Sequence, residues 1–151
     1  MTQIDIRPAI SDDVVDIVEL LADDPLGSTR ETPQDLEAYR RAFARIDDDP
    51  ANHLMVATSG DAIVGTLQLT IVPGLARAGM TRGLIEGVRT HREHRGLGIG
   101  TLLIEWAIAF SRENGCGMVQ LTSDSSRTGA HEFYKNLGFV HSHAGFKYPL
   151  S

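Results

Sequence analysis

The residues best suited to chemistry stand together at Arg95-Gly96-Leu97-Gly98-Ile99-Gly100-Thr101, where three glycines alternate directly behind an arginine. Without Cβ atoms, successive backbone N–H groups can converge on one point, and the unpaired amides of a helix N-terminus add positive potential there. That combination suits a phosphate group. The flanks complete the device. Leu84-Ile85-Glu86-Gly87-Val88 reads as a strand entering the loop, and Leu102, Leu103, Trp106, Ala107 and Phe110 share one helical face after it. A nucleotide P-loop is excluded, because it needs a lysine after its last glycine and none follows here. The dinucleotide fingerprint Gly-x-Gly-x-x-Gly would require glycine at position 101, where Thr101 stands. The bland alternative is a tightly packed helix entry that binds nothing.

A second constellation follows at Arg127-Thr128-Gly129-Ala130-His131-Glu132-Phe133-Tyr134-Lys135-Asn136-Leu137-Gly138-Phe139. Ala130, Phe133 and Leu137 form an apolar helical stripe, and Gly138 supplies a stop. A helix and a strand separate this segment from the glycine loop. The Arg-x-x-Gly-x-Gly run and the Phe-Tyr-x-x-x-Gly-Phe ending, in that order and at that separation, resemble the GCN5-related N-acetyltransferases. The resemblance is sharpest from Leu84 to Phe139 and looser elsewhere.

The resemblance implies acetyl-CoA as co-substrate and transfer of its acetyl group to a primary amine, most simply that of a small molecule, by direct attack on the thioester. Protein N-terminal or lysine acetylation is an alternative within the class, and a non-catalytic acyl-CoA sensor is one outside it. The loop amides from Arg95, Gly96, Leu97 and Gly98 through Ile99, Gly100 and Thr101 would hold the pyrophosphate. By the same resemblance, backbone groups of Val88 and Thr90 hold the pantetheine and polarise the thioester carbonyl. Tyr134 takes the role of general acid toward the departing thiolate, for which a phenol of pKa about 10 is roughly matched. Without the family, Tyr134 would read as a residue packed beside Phe133.

Glu86 is the candidate base. It lies one pleat before Val88, so it faces the same side of the sheet unless a bulge at Gly87 intervenes. The alternative is an ordinary strand carboxylate paired with Arg82 or Arg89. Arg127 departs from the family's commoner asparagine at that place. It is assigned to the cofactor site, with the acceptor or a neighbouring carboxylate as its other possible partners. His91 and His94 flank the loop, and His143 is the one histidine placed near an acceptor; no metal is implied.

Composition sets bounds around this chemistry. At 151 residues with 42% hydrophobic content, the chain reads as one ordinary globular domain, and the resemblance implies that 1–151 is a single N-acetyltransferase domain. A net charge of −6 argues against broad nucleic-acid binding. It also demands local cations for a polyanionic cofactor, and Arg89, Arg92, Arg95 and Arg127 surround the two motifs. No apolar run is long enough to span a membrane, no signal segment is visible, and the lone Cys116 suits a reducing cytoplasm. A homodimer is compatible with the sequence.

The elements that must position these groups follow from pattern. A strand opens at 3–7. Ser11 caps a helix through Leu21, and Thr32 caps a second helix with Leu36, Tyr39, Phe43 and Ile46 inside. Strands at 53–59 and 62–72 join through Gly60-Asp61, with Ile63, Gly65, Leu67, Leu69 and Ile71 on one face. A loop at 73–80 precedes the strand ending near Thr90. A strand at 116–122 leads to the Tyr134 helix, and 139–148 should close the sheet as one or two further strands. The expected fold is a mixed, mostly antiparallel α/β sheet of six to seven strands, with about four helices on both faces. In the family the glycine-loop strand and its successor splay apart, and the pantetheine lies in the opening.

Overall fold

Alternating apolar residues build the sheet. In the computed structural model, which describes residues 3–151, β1 (Ile4–Pro8), β2 (Asn52–Ser59), β3 (Ala62–Val72) and β4 (Arg82–Thr90) pair antiparallel in sequence order. A fifth strand, β5 (Met118–Leu121), lies beside β4. The Gly117 N–H donates to the Thr81 carbonyl at 2.8 Å, and Arg82 Nη1 donates to Gln120 Oε1 at 2.9 Å. These bonds tie the starts of β4 and β5 to each other, so the two run parallel and the sheet is mixed.

The helices are α1 (Val14–Ala22), the single turn α2 (Gly27–Arg30), α3 (Leu36–Asp47), the short turn α4 (Ala76–Gly79), α5 (Ile99–Glu113) and α6 (Thr128–Asn136). The chain divides into one compact unit reaching Gln120 and a second from Leu121 to Ser151.

In the first unit, Leu67, Leu69 and Ile85 are buried with Ile99, Leu103, Ile104 and Ala107 of α5. Ala9, Ile17 and Val56 form a separate cluster, with Leu21, Phe43, Leu54 and Ile63 packed against it. Glycine sets how closely α5 approaches. A Cβ on Gly65 would lie 2.9 Å from Ile99 Cγ2 and 3.1 Å from Leu103 Cδ1, and one on Gly83 would collide with Ser111 Oγ.

Local details differ from the pattern where a side chain or a bulge intervenes. Asp13, not Ser11, organises the entry to α1. Its Oδ2 accepts from the Ile10 N–H at 2.8 Å and from Arg7 Nη1 at 2.7 Å, while Oδ1 accepts from Arg7 Nη2 at 3.1 Å. The Arg7 hydrogen bonds hold the Asp13 carboxyl below its ordinary pKa. Its contribution to stability is therefore present at neutral pH and lost as pH falls through that lowered value. The second long helix starts at Leu36, later than Thr32 suggests, with Asp35 Oδ1 accepting from the Ala38 N–H. Leu36, Tyr39, Phe43 and Ile46 are its half-buried face, as the periodicity requires.

A register shift between Ala57 and Thr58 places Ile63 with the Ile17 cluster, so it does not share a face with Gly65. In α5, Ile99 and Ile104 are buried where Leu102 was expected, and Leu102 is exposed. The expected six to seven strands are five among the described residues. The difference lies in 139–150, which carries no strand and is almost wholly exposed.

The Gly83–Ser111 approach yields a test. Ser111 Oγ is buried without a hydrogen-bond partner among the described residues. Ser111→Ala should therefore be close to neutral. Gly83→Ala should cost about 1–3 kcal/mol by overpacking, and the double variant should recover most of that loss. Denaturant unfolding of the four proteins in a double-mutant cycle measures the coupling.

Candidate active site

The glycine loop has the geometry of an open cradle. Arg92–His94 is a single 3-10 turn, steadied by the His91 ring, whose Nδ1 accepts from the Glu93 N–H at 3.2 Å. Gly96 and Gly98 then take φ of 81° and 83°, the left-handed region that other residues enter at a cost. A Cβ added at either would meet no atom within 4 Å. These two glycines are therefore required by backbone direction and not by tight packing, which removes the bland alternative for them.

Gly98 is the N-cap of α5 and makes no side-chain cap. The Leu102 N–H donates to the Gly98 carbonyl, so Gly98, Ile99, Gly100 and Thr101 contribute the helix's four amides without intrahelical partners. No acceptor takes them among the described residues. Four amides without protein partners at the positive end of a 15-residue helix fit a diphosphate. Leu97 is 68% exposed at the lip.

Strand β4 leads to the loop through a bulge. Glu86 pairs with Gln68 and Arg89 with Thr66, so Gly87 and Val88 together oppose Leu67. Gly87 takes φ of 62°, as a bulge residue often must. The parity argument linking Glu86 to Val88 does not survive this bulge, because the extra residue breaks the alternation. Glu86 is exposed and Val88 half-buried. Ladder pairing resumes at Arg89 and Thr90, with Thr90 opposite Gly65. β5 has four residues against nine in β4, so the bulged half of β4 runs on beyond it.

Two arginines expected around the cofactor are engaged with the segment after α1. Arg89 Nε lies 3.7 Å from Asp24 Oδ2, and both side chains are mostly buried. Arg89 Nη1 also donates to the Val88 carbonyl at 2.9 Å. Arg92 Nη1 lies 3.8 Å from Asp23 Oδ1. Asp24 Oδ1 in addition accepts from the Gly27 N–H, which fixes the start of α2. No local signal could have linked Asp24 to a strand so distant in the chain.

Arg127 and Tyr134 belong to the second unit. Arg127 is the half-buried N-cap residue of α6, and its carbonyl accepts from the His131 N–H. Asp124 builds the approach: Oδ1 accepts from the Ser126 N–H and Oγ, and its carbonyl accepts from the Arg127 N–H. The half-buried Tyr134 ring stands edge-on to Phe133 at 5.2 Å and to Phe139 at 5.8 Å between centroids. α6 ends at Asn136, and Gly138 follows with φ of 103°. His143, expected in a terminal strand, instead lies in the exposed tail, its Nδ1 2.6 Å from Ser142 Oγ.

Comparison with known proteins agrees with this geometry. The model of the Acetyltransferase (GNAT) family matches residues 14–139. Aminoalkylphosphonate N-acetyltransferase of Salmonella typhimurium is 31% identical over 116 residues, which is 77% of this chain and 75% of that protein. The crystal structure of a transcriptional regulator from Bacillus halodurans C-125 superposes with a TM-score of 0.95 at 45% identity, covering 98% of this chain and 100% of that one. A putative acetyltransferase from Agrobacterium tumefaciens C58 superposes with a TM-score of 0.81 at 31% identity, over 96% and 99% of the two chains.

Gly98→Val tests the cradle. A branched residue at φ of 83° should cost about 1–2 kcal/mol of stability, leaving a folded protein at moderate temperature. Its side chain also fills the space above the amides, so affinity for coenzyme A should fall at least tenfold. Titration calorimetry on the folded variant measures this, and normal affinity would move the cradle elsewhere.

Proposed function

This chain belongs to the acetyltransferase (GNAT) family, and from that premise we propose that it transfers the acetyl group of acetyl-CoA to the primary amine of a small molecule. The enzyme class is that of an N-acetyltransferase; the co-substrate, acceptor and residue roles are our reading. The observation that carries it is the row of unpartnered amides from Gly98 to Thr101, on the loop that follows the bulged strand β4. Because the family match runs from 14 to 139, across both compact units, we treat 1–151 as one catalytic domain. A relative acting on aminoalkylphosphonates, by its name, supports a small amine acceptor. Among the described residues no helix is long and apolar enough to cross a membrane, and we place the enzyme in the cytoplasm, which its single free Cys116 suits.

In this reading the amides of Gly96 to Thr101, with Arg95, bind the pyrophosphate of acetyl-CoA, which brings an activated acetyl thioester. A bulge leaves one residue outside the strand ladder, so the Gly87–Val88 stretch can offer a backbone donor to the thioester carbonyl. One preorganised donor of that kind is worth about 3 kcal/mol on a developing oxyanion. Thr90 and Arg89 border the same strand end, and the family resemblance assigns Arg127 to the cofactor. The acceptor nitrogen forms its bond to the carbonyl carbon as the carbon–sulfur bond breaks. Glu86, exposed immediately before the bulge, removes the amine proton directly or through water. Tyr134 Oη gives its proton to the departing sulfur. A sensor that only bound acyl-CoA would need neither group.

Acetyl-CoA should raise the melting temperature. The gain corresponds to about 2.7 kcal/mol at a hundredfold excess over the dissociation constant, whereas NADH and ATP should produce none. No shift with acetyl-CoA in folded protein would remove the co-substrate.

Tyr134→Phe keeps the ring that packs between Phe133 and Phe139. Acetyl-CoA affinity should hold while the single-turnover rate with an amine acceptor falls by about 10² to 10⁴. An unchanged single-turnover rate would assign proton delivery to water.

A further inference from the structure

Polar side chains cross the face of the sheet that carries Glu86. Register sets Asn52 of β2 opposite Thr70 of β3, and Gln68 of β3 opposite Glu86 of β4. Directly opposed residues of an antiparallel pair point to the same face, with Cβ atoms about 5 Å apart. Gln68 is therefore the cross-strand neighbour of Glu86. Its other neighbour in the ladder is Leu54, which packs on the Ile17 cluster. The half-buried Gln68 thus stands between an apolar interior and the exposed Glu86.

Hydrogen bonds fix which way the Gln68 carboxamide points. The Asp49 carboxylate can only accept: Oδ1 takes the Ala51 N–H at 2.9 Å, and Oδ2 takes Asn52 Nδ2 at 2.8 Å. Asn52 must then turn Oδ1 toward β3, where it accepts from Thr70 Oγ1 at 2.7 Å and from Gln68 Nε2 at 3.1 Å. With Nε2 committed, Oε1 is the end of Gln68 directed away from Asn52. It has no hydrogen-bond partner among the described residues. The Glu86 carboxylate has none either, since Arg82 goes to Gln120 and Arg89 to Asp24. Two acceptors on adjacent strands, one charged and one neutral, suit a cation that donates more than one N–H.

We propose that Gln68 orients the acceptor amine, its Oε1 accepting one N–H of a primary ammonium while the Glu86 carboxylate accepts another. When one proton passes to Glu86, the electron pair of that N–H stays on nitrogen, and Gln68 still holds one of the two N–H groups that remain. A neutral amide suits this place. A second carboxylate would repel Glu86 and attract any cation, whereas an amide oxygen makes recognition depend on a donated hydrogen bond. A quaternary ammonium carries the same charge and no N–H, so it satisfies neither acceptor. Asp49 and Asn52 are positioning residues that act through Gln68. The acceptor role rests on the acetyl-transfer reading; the ammonium-binding chemistry does not.

The test titrates the full chain with ethylammonium chloride, against tetramethylammonium chloride at equal ionic strength, with and without coenzyme A. In assigned NMR spectra, ethylammonium should shift the Gln68 side-chain amide and the Glu86 carboxyl carbon saturably, with one shared dissociation constant. Tetramethylammonium should bind at least tenfold more weakly. Gln68→Met, close in shape, should lose at least tenfold in ethylammonium affinity and most of the discrimination between the two cations. Asn52→Leu, which frees the carboxamide to turn over, should weaken binding at least threefold. The double variant should be no weaker than Gln68→Met alone, because Asn52 acts through Gln68. Should Gln68→Met misfold, the wild-type titration still decides. Three results would overturn the proposal: no saturable response at Gln68, equal affinity for the two cations, or unchanged affinity in folded Gln68→Met. Stabilisation by acetyl-CoA without a Gln68 response would strike this site and spare the transfer reading; a Gln68 response without that stabilisation would do the reverse.

Discussion

The close seating of α5 on β3 and β4 is the constraint on which the rest depends. Gly65 and Gly83 are two gaps in the sheet surface, one receiving Ile99 and Leu103, the other Ser111. With side chains in those gaps, the helix would have to ride higher, and interiors packed at crystal density do not yield that distance cheaply. Ile99 is both the first residue of α5 and a wholly buried side chain. The helix N-terminus is therefore fixed by packing, not merely directed by the loop before it. The amides of Gly98 to Thr101 inherit that fixity. A cradle whose donors are already in place loses little freedom when an anion arrives.

The second fixed point is the bulge in β4. An uninterrupted strand would send every second side chain to each face and spend all its amides on its neighbours. One additional residue opposite Leu67 breaks both rules within two positions. It ends the alternation that would have joined Glu86 to Val88. It also lies where β4 has outrun β5, so that one side of the strand is not covered by its sheet neighbour. α1 reaches the same place from its own side, where a Cβ on Gly87 would lie 3.6 Å from Leu21 Cδ2. A helix thus backs the distorted strand, and that support is what lets a residue persist in a sparsely populated conformation.

What the sequence disclosed was what repeats over several residues. The apolar period of α3 named all four of its half-buried residues, and α5, β3 and β4 are recognisable from similar runs. The glycine loop was legible because its residue types have few other uses. What escaped was set by single residues or by distance. Asp13 and Asp35 took the capping places that Ser11 and Thr32 also suited, because neighbouring acceptors compete and tertiary partners such as Arg7 decide. Ile63 changed faces through a register shift, which no alternation count contains. The short α2 turn has too few residues to show a period. The tail's strand pattern is present in sequence, but a pattern states a preference and cannot supply the neighbouring strand that realises it.

Charge at the cradle presents a contradiction that the structure resolves. The protein carries a net charge of −6, and Asp23 and Asp24 stand beside the arginines that lead into the loop. Left bare, those carboxylates would repel a polyanion within a Debye length of about 10 Å. Pairing with Arg92 and Arg89 cancels them locally and commits those two cations to the protein's own carboxylates. What remains at the loop is the sum of aligned peptide dipoles along α5, together with Arg95. Dipoles of this kind cannot swing away or titrate. They also point at one position, as mobile side chains do not. An acidic protein can therefore hold an anion at one place and stay negative elsewhere, because the binding charge is carried by backbone geometry instead of by composition.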